Sequence, residues 1–479
     1  MKILGDTLPR RFKAKASGAI TAGKPLIVET DGDVAQVAGA TQGVGTSAVF
    51  ESATSGDISI AYDVNAQKVV IVYYDNGNSS YGTAVVGTVS GSSISFGTPV
   101  VYNSASSQEN DIAYDANAQK VVIAFKDYAY SGGHGSAIVG TVSGTSISFG
   151  AKNRFEQADT ENVSIAYDAN AQNVVVAYQD DADSNYGKAV VGTISGTSIS
   201  FGTAVTFNSA STTEIDIAYD SDAQKVVIAY RDDGNSNYGT AIVGTVSGTS
   251  ISFGTEAVFE SAMSNRISAA YDSSAQKTVI AYSDIANSSY GTAVVGTVSG
   301  TSISFGTPVV FAATDTSSYI STAYDENAEK IVIAYRDATA TDGNVIAGAV
   351  SGTSITFDSS VEFESDNADF VAAAYDQNAK KVVIAYQDDG NSSYGTGIVF
   401  TTGFTNLTSE NYIGIAEYAA ADTETATVFI KGGVSPDQSS LTPGQTYFVQ
   451  ADGTIATSAG TPSVTAGTAV TSTKLIVKG

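Results

Sequence analysis

Short apolar runs, bounded by Gly, Ser, Asn and Asp, follow one another along most of the chain, and they come in a repeating order. The run Ile228-Ala229-Tyr230-Arg231-Asp232 has counterparts ending at Asp75, Asp127, Asp180, Asp284, Asp337 and Asp388, spaced 52, 53, 52, 52, 53 and 51 residues apart. A fixed period of this size is the signature of a repeat architecture. Each copy parses into four short strands. In the fourth copy these are Ile215 to Tyr219, Lys225 to Tyr230, Thr240 to Val246 and Ser250 to Phe259. The second strand carries Val226-Val227-Ile228-Ala229, apolar without alternation, which predicts a strand covered on both faces. Four antiparallel strands per period suit a β-propeller blade, and seven copies predict seven blades.

The ends of the repeat region predict how the ring closes. Copy seven stops near Gly403 and lacks the Ser-Gly-Thr-Ser-Ile-Ser-Phe-Gly segment that supplies a fourth strand elsewhere. Near the start, Gly45 to Ser52 matches Gly97 to Ser104, the end of a fourth strand, but has no blade of its own. A segment near residues 42–51 is therefore expected to complete the last blade and remove two open strand edges. The propeller then spans 42–403. Residues 1–41 and 404–479 leave it from one blade and are free to pair. Both carry a Gly, an apolar strand and an Asp-Gly turn: Gly23, Pro25 to Val28 and Asp31-Gly32, then Gly444, Thr446 to Val449 and Asp452-Gly453. Asp-Gly between apolar runs reads as a hairpin. The expected fold is all-β: a seven-bladed propeller of four-stranded blades, closed by an N-terminal strand, inserted into a small β domain built from both termini.

Alternation of strand direction puts the one–two and three–four turns on one face, with the small domain expected there. The two–three and blade-to-blade loops fall on the other. The blade-to-blade segments vary most between copies; compare Glu51 to Gly56, Gln157 to Asn162 and Ser365 to Phe370. Variable loops on a rigid scaffold commonly carry recognition.

Composition narrows the function classes. Apolar residues make up 43% of the chain, so it is globular, and a net charge of -26 disfavours binding to nucleic acid. The first 24 residues run against that balance at +5, with Arg10, Arg11, Lys13 and Lys15 at the centre. They read as a docking arm for an acidic partner or as a solvated terminus. The chain has no cysteine, which excludes disulfides and thiolate metal sites. No apolar stretch is long enough to span a bilayer, and the first residues lack a signal-peptide pattern.

The two–three loop reads Asp-x-x-Asn/Asp-x-x-Tyr-Gly in five copies: Asp75, Asn78 and Tyr81; Asp180, Asp183 and Tyr186; Asp232, Asn235 and Tyr238; Asp284, Asn287 and Tyr290; Asp388, Asn391 and Tyr394. Carboxylate, amide and ring together suit a sugar or, through oxygen ligands, Ca²⁺. The same residues also serve turns, Asp and Asn bonding their own backbone. A second series, Asp63, Asp115, Asp168, Asp220, Asp272, Asp325 and Asp376, reads as turn chemistry or a cation ring. The single histidine, His134, disfavours histidine-based triads and excludes a polyhistidine metal site. No metal and no cofactor are expected. With near-identical blades and no acid–base pair standing out, the chain reads as non-enzymatic.

Two resemblances add to this. The blade grammar is similar to sialidase-type propellers, but the turn Ser247-Gly248-Thr249-Ser250-Ile251-Ser252-Phe253 lacks the Asp and Trp of their motif. Nothing in the order of Arg154, Arg231, Arg266 and Arg336 marks a carboxylate clamp, so sialidase activity is not carried over. The flanks resemble tailed-phage virion proteins. The residues are Asn411 to Ala416, Ala426 to Val434, Leu441 to Thr454 and Ala466 to Val477, which look like the ends of marine phage fibre proteins. With Gly5-Asp6-Thr7-Leu8 and Gly23 to Val28, they also look like the capsid-cement (decoration) family. The resemblance implies a virion structural protein, assembled in the host cytoplasm and placed on the particle surface. The flank domain would dock on capsid or tail proteins while the propeller faces outward for adhesion or shell stabilisation. The alternative is a tail-fibre protein recognising host surface glycan. Further copies of the chain are an additional candidate partner.

Overall fold

The computed structural model describes residues 10–316, 318–460 and 462–478. They form two compact units, one from Gly43 to Thr402 and one from the two flanks, up to Gln42 and from Gly403.

The larger unit is the seven-bladed propeller. In the fourth blade, the second half of strand Val205–Asp220 pairs with Lys225–Asp232, which pairs with Tyr238–Ser247. The outer position is shared by Ser250–Phe253 and the first half of Ala257–Asp272. Val226, Val227, Ile228, Ala229 and Tyr230 are all 0% exposed. Their unalternating pattern has a direct cause. Val226, Ile228 and Tyr230 pack against Val175, Ala177 and Val191 of the preceding blade. Val227 and Ala229 pack against Ile280 and Tyr282 of the next. Each buried Val or Ile contributes roughly 1.5–3 kcal/mol, so the blade interfaces are the core.

The hairpin between strands three and four turns on Gly248, whose φ of +59° suits a residue without a Cβ. Six residues on, Gly254 is needed for a different reason. A Cβ there would lie 1.8 Å from the Thr301 carbonyl oxygen of the next blade's turn.

The ring closes through the N-terminal segment. Strand Tyr394–Thr401 pairs with Gly43–Val44 and with the first half of Ala48–Asp63, in register Phe400 to Val44, Thr401 to Gly43, Gly397 to Ala48 and Tyr394 to Thr54. Phe50 enters the core between blades seven and one, 5.1 Å from the Tyr73 ring and 5.6 Å from Phe96.

One expectation needs correction. The blade-to-blade segments of the first five joints are not loops. Ala48–Asp63, Val100–Asp115, Asn153–Asp168, Val205–Asp220 and Ala257–Asp272 each run as one 16-residue strand through two blades. The turn between blades is made by bulges, as between Gln108 and Asp111, which bend a strand without ending it. Among the described residues, the strand is interrupted at the last two joints, which run as separate strands Val309–Asp315 and Ile320–Asp325 and then Val361–Glu364 and Ala368–Asp376.

The flank unit has two five-stranded sheets. In the first, Thr425–Phe429 and Tyr412–Ala416 of the C-terminal flank lie between Arg11–Lys15 and Pro25–Val28 of the N-terminal one, with Val34–Gln36 at the far edge. The second is Val434–Ser435, Lys474–Val477, Val464–Thr471, Thr446–Val449 and Ile455–Ala456 in order. The two Asp-Gly turns are built alike. Asp31 accepts from the Asp33 N–H at 3.0 Å, and Asp452 from the Thr454 N–H at 2.9 Å. Ile27, Val37, Tyr447, Val449 and Leu475 share one core, so neither flank buries its apolar face alone. The Gly5–Leu8 stretch lies outside the described residues.

Candidate functional site

On the face of the one–two turns, every blade is clasped to its neighbour in the same way. The Tyr219 hydroxyl accepts from the Asn170 N–H of the preceding blade at 3.1 Å, and Tyr62 accepts from Asn378 across the closure at 3.1 Å. The aspartate after each tyrosine is spent on its own turn; Asp220 accepts from the N–H groups of Asp222 and Ala223 at 3.1 and 2.9 Å. Asp63, Asp115, Asp168, Asp272, Asp325 and Asp376 do the same. Asp220→Ala should therefore cost about 1–2 kcal/mol, as for a lost buried acceptor. Chelator or added Ca²⁺ should leave the melting temperature unchanged in both proteins. A Ca²⁺-dependent rise confined to the wild type would mark a cation ring instead.

The two–three loops sit on the opposite face. Asp75, Asp180, Asp232, Asp284 and Asp388 each precede a short 3₁₀ turn and accept from its backbone, for example Asp232 from Gly234 and Asn235. Asn78, Asp183, Asn235, Asn287 and Asn391 are exposed at the loop tips, and Tyr81, Tyr186, Tyr238, Tyr290 and Tyr394 are half-buried behind them. In the third copy the Lys188 ammonium lies 2.7 Å from both Asp180 and Asp183, so a cation of the chain's own fills that loop. The glycine after each tyrosine allows close packing; a Cβ on Gly239 would lie 2.4 Å from the Phe259 ring.

The departures from sevenfold likeness gather nearer the axis, at the strand-one bulge of six blades and just before strand one of the sixth. The equivalent residues are Asp57, Glu109, Asn162, Glu214, Arg266, Tyr319 and Phe370. Six have φ between +45° and +52°, all but Tyr319. Over one arc the side chains clasp the next blade. Asp57 accepts from the Glu109 N–H at 3.3 Å, Glu109 from Asn162 at 3.0 Å, Asn162 from Glu214 at 2.8 Å and Glu214 from Arg266 at 2.8 Å. Over the other arc the Arg266 guanidinium lies 5.2 Å above the Tyr319 ring, and Tyr319 packs on Phe370 at 5.1 Å. Tyr74 meets Phe370 edge-on at 6.3 Å and completes the circuit.

Charge in this mouth is uneven. Arg231, Arg266 and Arg336 come from three consecutive blades, and the last two both lie near Asp369. Arg231 is held by Asp233 at 2.8 Å, and Arg336 pairs with Asp369. Lys126 pairs with Asp159 at 2.6 Å and with Glu161. Asp57 and Glu109 form no ion pair among the described residues. Burial, aided by the Asp57 and Glu161 carboxylates, pushes Glu109 up to about 7, and burial pushes Asp57 up to about 6. A second ring lies two residues further along the same strands. There Ser59 donates to Asp111 at 2.7 Å, and the Ser164 hydroxyl lies within hydrogen-bond reach of both Asp111 (3.1 Å) and Asp216 (2.9 Å), sharing one proton between them.

Elsewhere, copy two replaces the loop motif with a compact group. The His134 ring stacks on Tyr130 at 4.9 Å, and Arg154 lies over the same ring at 4.5 Å. In the flank unit, the expected basic arm is an edge strand from Arg11 on. Arg11 pairs with Glu417 and Lys15 with Asp33, both at 2.6 Å, while Arg10 and Lys13 are exposed.

No family model matches the chain, and no curated protein matches it. Solved structures do. The BP39L lectin of Burkholderia pseudomallei superposes with a TM-score of 0.55 at 9% identity, over 75% of this chain and 99% of the lectin. The Trypanosoma rangeli sialidase gives 0.44 at 10% identity, over 82% of this chain and 60% of the enzyme. The Aleuria aurantia lectin AAL gives 0.41 at 13% identity, over 62% and 96%. At these identities the likeness to the first is one of fold, and it agrees with the propeller described above.

Proposed function

We propose that the chain is a non-enzymatic structural protein of a phage particle, whose flank unit docks on the virion and whose propeller is held out to bind host surface glycan. The observation that carries this reading is the closure at one blade. Gly43 enters the ring opposite Thr401, where the chain leaves it, so both crossings of the chain between the two units are at one blade. That connectivity suits a head carried by a base. The base resembles capsid-cement and fibre proteins, and its basic edge strand offers Arg10 and Lys13 to an acidic surface. A capsid-decoration role is the reading favoured here; the tail-fibre role uses the same two units in fewer copies.

A binding role fits a rigid scaffold with side-chain differences gathered on one face. It also fits a fold that includes the BP39L lectin, a protein named for sugar binding. The test has two parts. Quantitative mass spectrometry of purified particles should find the chain as a stoichiometric component, in hundreds of copies for decoration and a few for a fibre. Labelled protein should adsorb to host cells and lose adsorption when surface polysaccharide is removed. Absence from the particle would refute the structural role, and adsorption indifferent to polysaccharide would refute the glycan.

A further inference from the structure

The repeat supplies its own baseline for finding a site. At the strand-two core position, the seven copies carry only Tyr or Phe: Tyr73, Phe125, Tyr178, Tyr230, Tyr282, Tyr335 and Tyr386. At the axial bulge the same copies carry Asp, Glu, Asn, Glu, Arg, Tyr and Phe. A purely structural ring does not need that spread. The clasp to the next blade requires only a short oxygen acceptor, as Asp57 and Asn162 demonstrate. Tyr319 and Phe370 give up that clasp, and both stay partly open to solvent. Aromatic side chains in that place serve a ligand's apolar surface better than they serve the ring.

Resting on the glycan-binding reading above, we infer that the propeller holds one saccharide end at its axial mouth, with a sugar face on Tyr319 and Phe370 and its hydroxyls on Asp57, Glu109 and Arg266. A pyranose has the matching two-sided chemistry: a C–H face that packs on rings, and hydroxyls that donate to carboxyl oxygens and accept from a guanidinium. Burial raises Glu109 to about 7, so near neutral pH the carboxyl both donates and accepts. Asp57 and Glu109 have one another as neighbours and no ion-pair partner among the described residues, whereas Lys126, Arg231 and Arg336 are each held by acids. The mouth thus sets carboxyl groups that have a backbone N–H but no cation as partner beside an aromatic surface. The site is single because its two arcs differ; the two–three loops would instead give up to five alike.

The full chain would be screened against immobilised O-antigen and capsular oligosaccharides, and any oligosaccharide retained would then be titrated by calorimetry. The expected result is one site per chain. Phe370→Ala should weaken it at least tenfold and Glu109→Gln several-fold, while Tyr238→Ala and Tyr290→Ala leave it unchanged. Glu109→Gln keeps the acceptor for the Asn162 N–H and so separates ligand contact from folding. Several sites per chain, lost with the loop tyrosines and indifferent to Phe370, would overturn the axial assignment and leave glycan binding standing. Retention of none of the oligosaccharides would overturn both.

Discussion

Phe50→Ala should destabilise the propeller by about 3–5 kcal/mol, the usual cost of emptying a buried phenylalanine site, and Phe259→Ala should do the same. The comparison matters more than either value. Phe259 belongs to an ordinary joint and lies 5.2 Å from Tyr282 and 5.7 Å from Phe305. Phe50 belongs to the closing segment, yet its distances to Tyr73 and Phe96 are 5.1 and 5.6 Å. If the ring closes through residues 43–54, the two substitutions are equivalent and give matching losses in urea unfolding. If that segment lay free, Phe50 would be solvent-exposed in the native protein. Its replacement would then change stability by only a few tenths of a kcal/mol, as for other surface changes. A matched pair also predicts one cooperative transition for the ring, because blades one and seven share the Phe50 core with Val383 and Ala385.

The closure was legible because a strand without a blade and a blade without a strand are both visible as deviations from a strict period. The flank pairing was legible for a similar reason: Gly23 to Asp31 and Gly444 to Asp452 repeat one hairpin at equal spacing, and the structure uses both turns alike. The axial ring was not legible. Its positions fall inside segments that looked like variable loops, since the extra residue of a bulge breaks the two-residue alternation that would mark a strand. The left-handed backbone there is also disguised. Glu109, Glu214, Arg266 and Phe370 occupy it in four copies, and no copy has a Gly there, so the Asp57 and Asn162 of the other two do not stand out as a signal. Arg231 and Arg336 fill the same strand-two position two periods apart, while Arg266 lies on strand one of the blade between them, so its place beside Arg336 near Asp369 does not show in linear spacing. The two–three loop motif shows the reverse case. Its Asp and Gly stand out in the sequence, yet the turn backbone and the Phe259-type rings account for them.

The acidic arc should make the protein less stable as pH rises through neutrality. Glu109 has an ordinary value of 4.5 and is pushed up to about 7 in the fold; Asp57 moves from 3.8 to about 6. The groups facing Glu109 are Asp57 and Glu161, which oppose its charge, and Lys126, which favours it but is already paired with Asp159 and Glu161. A carboxyl with a raised value in the native state takes up protons on folding between the two values. Its contribution is then fully present below about 4.5, falls as pH climbs toward about 7 and is lost above that. The loss is on the order of 2 kcal/mol, given that the mouth is open to water on one side. Glu109→Gln keeps the bond to the Asn162 N–H and removes the titration, so its stability advantage over the wild type should appear between pH 5 and pH 8 and be absent at pH 4. Urea unfolding at the three pH values would measure it. Parallel profiles for the two proteins would mean that Glu109 ionises as an ordinary surface acid, which would leave the axial mouth a solvated opening with no desolvated carboxyl to offer a ligand.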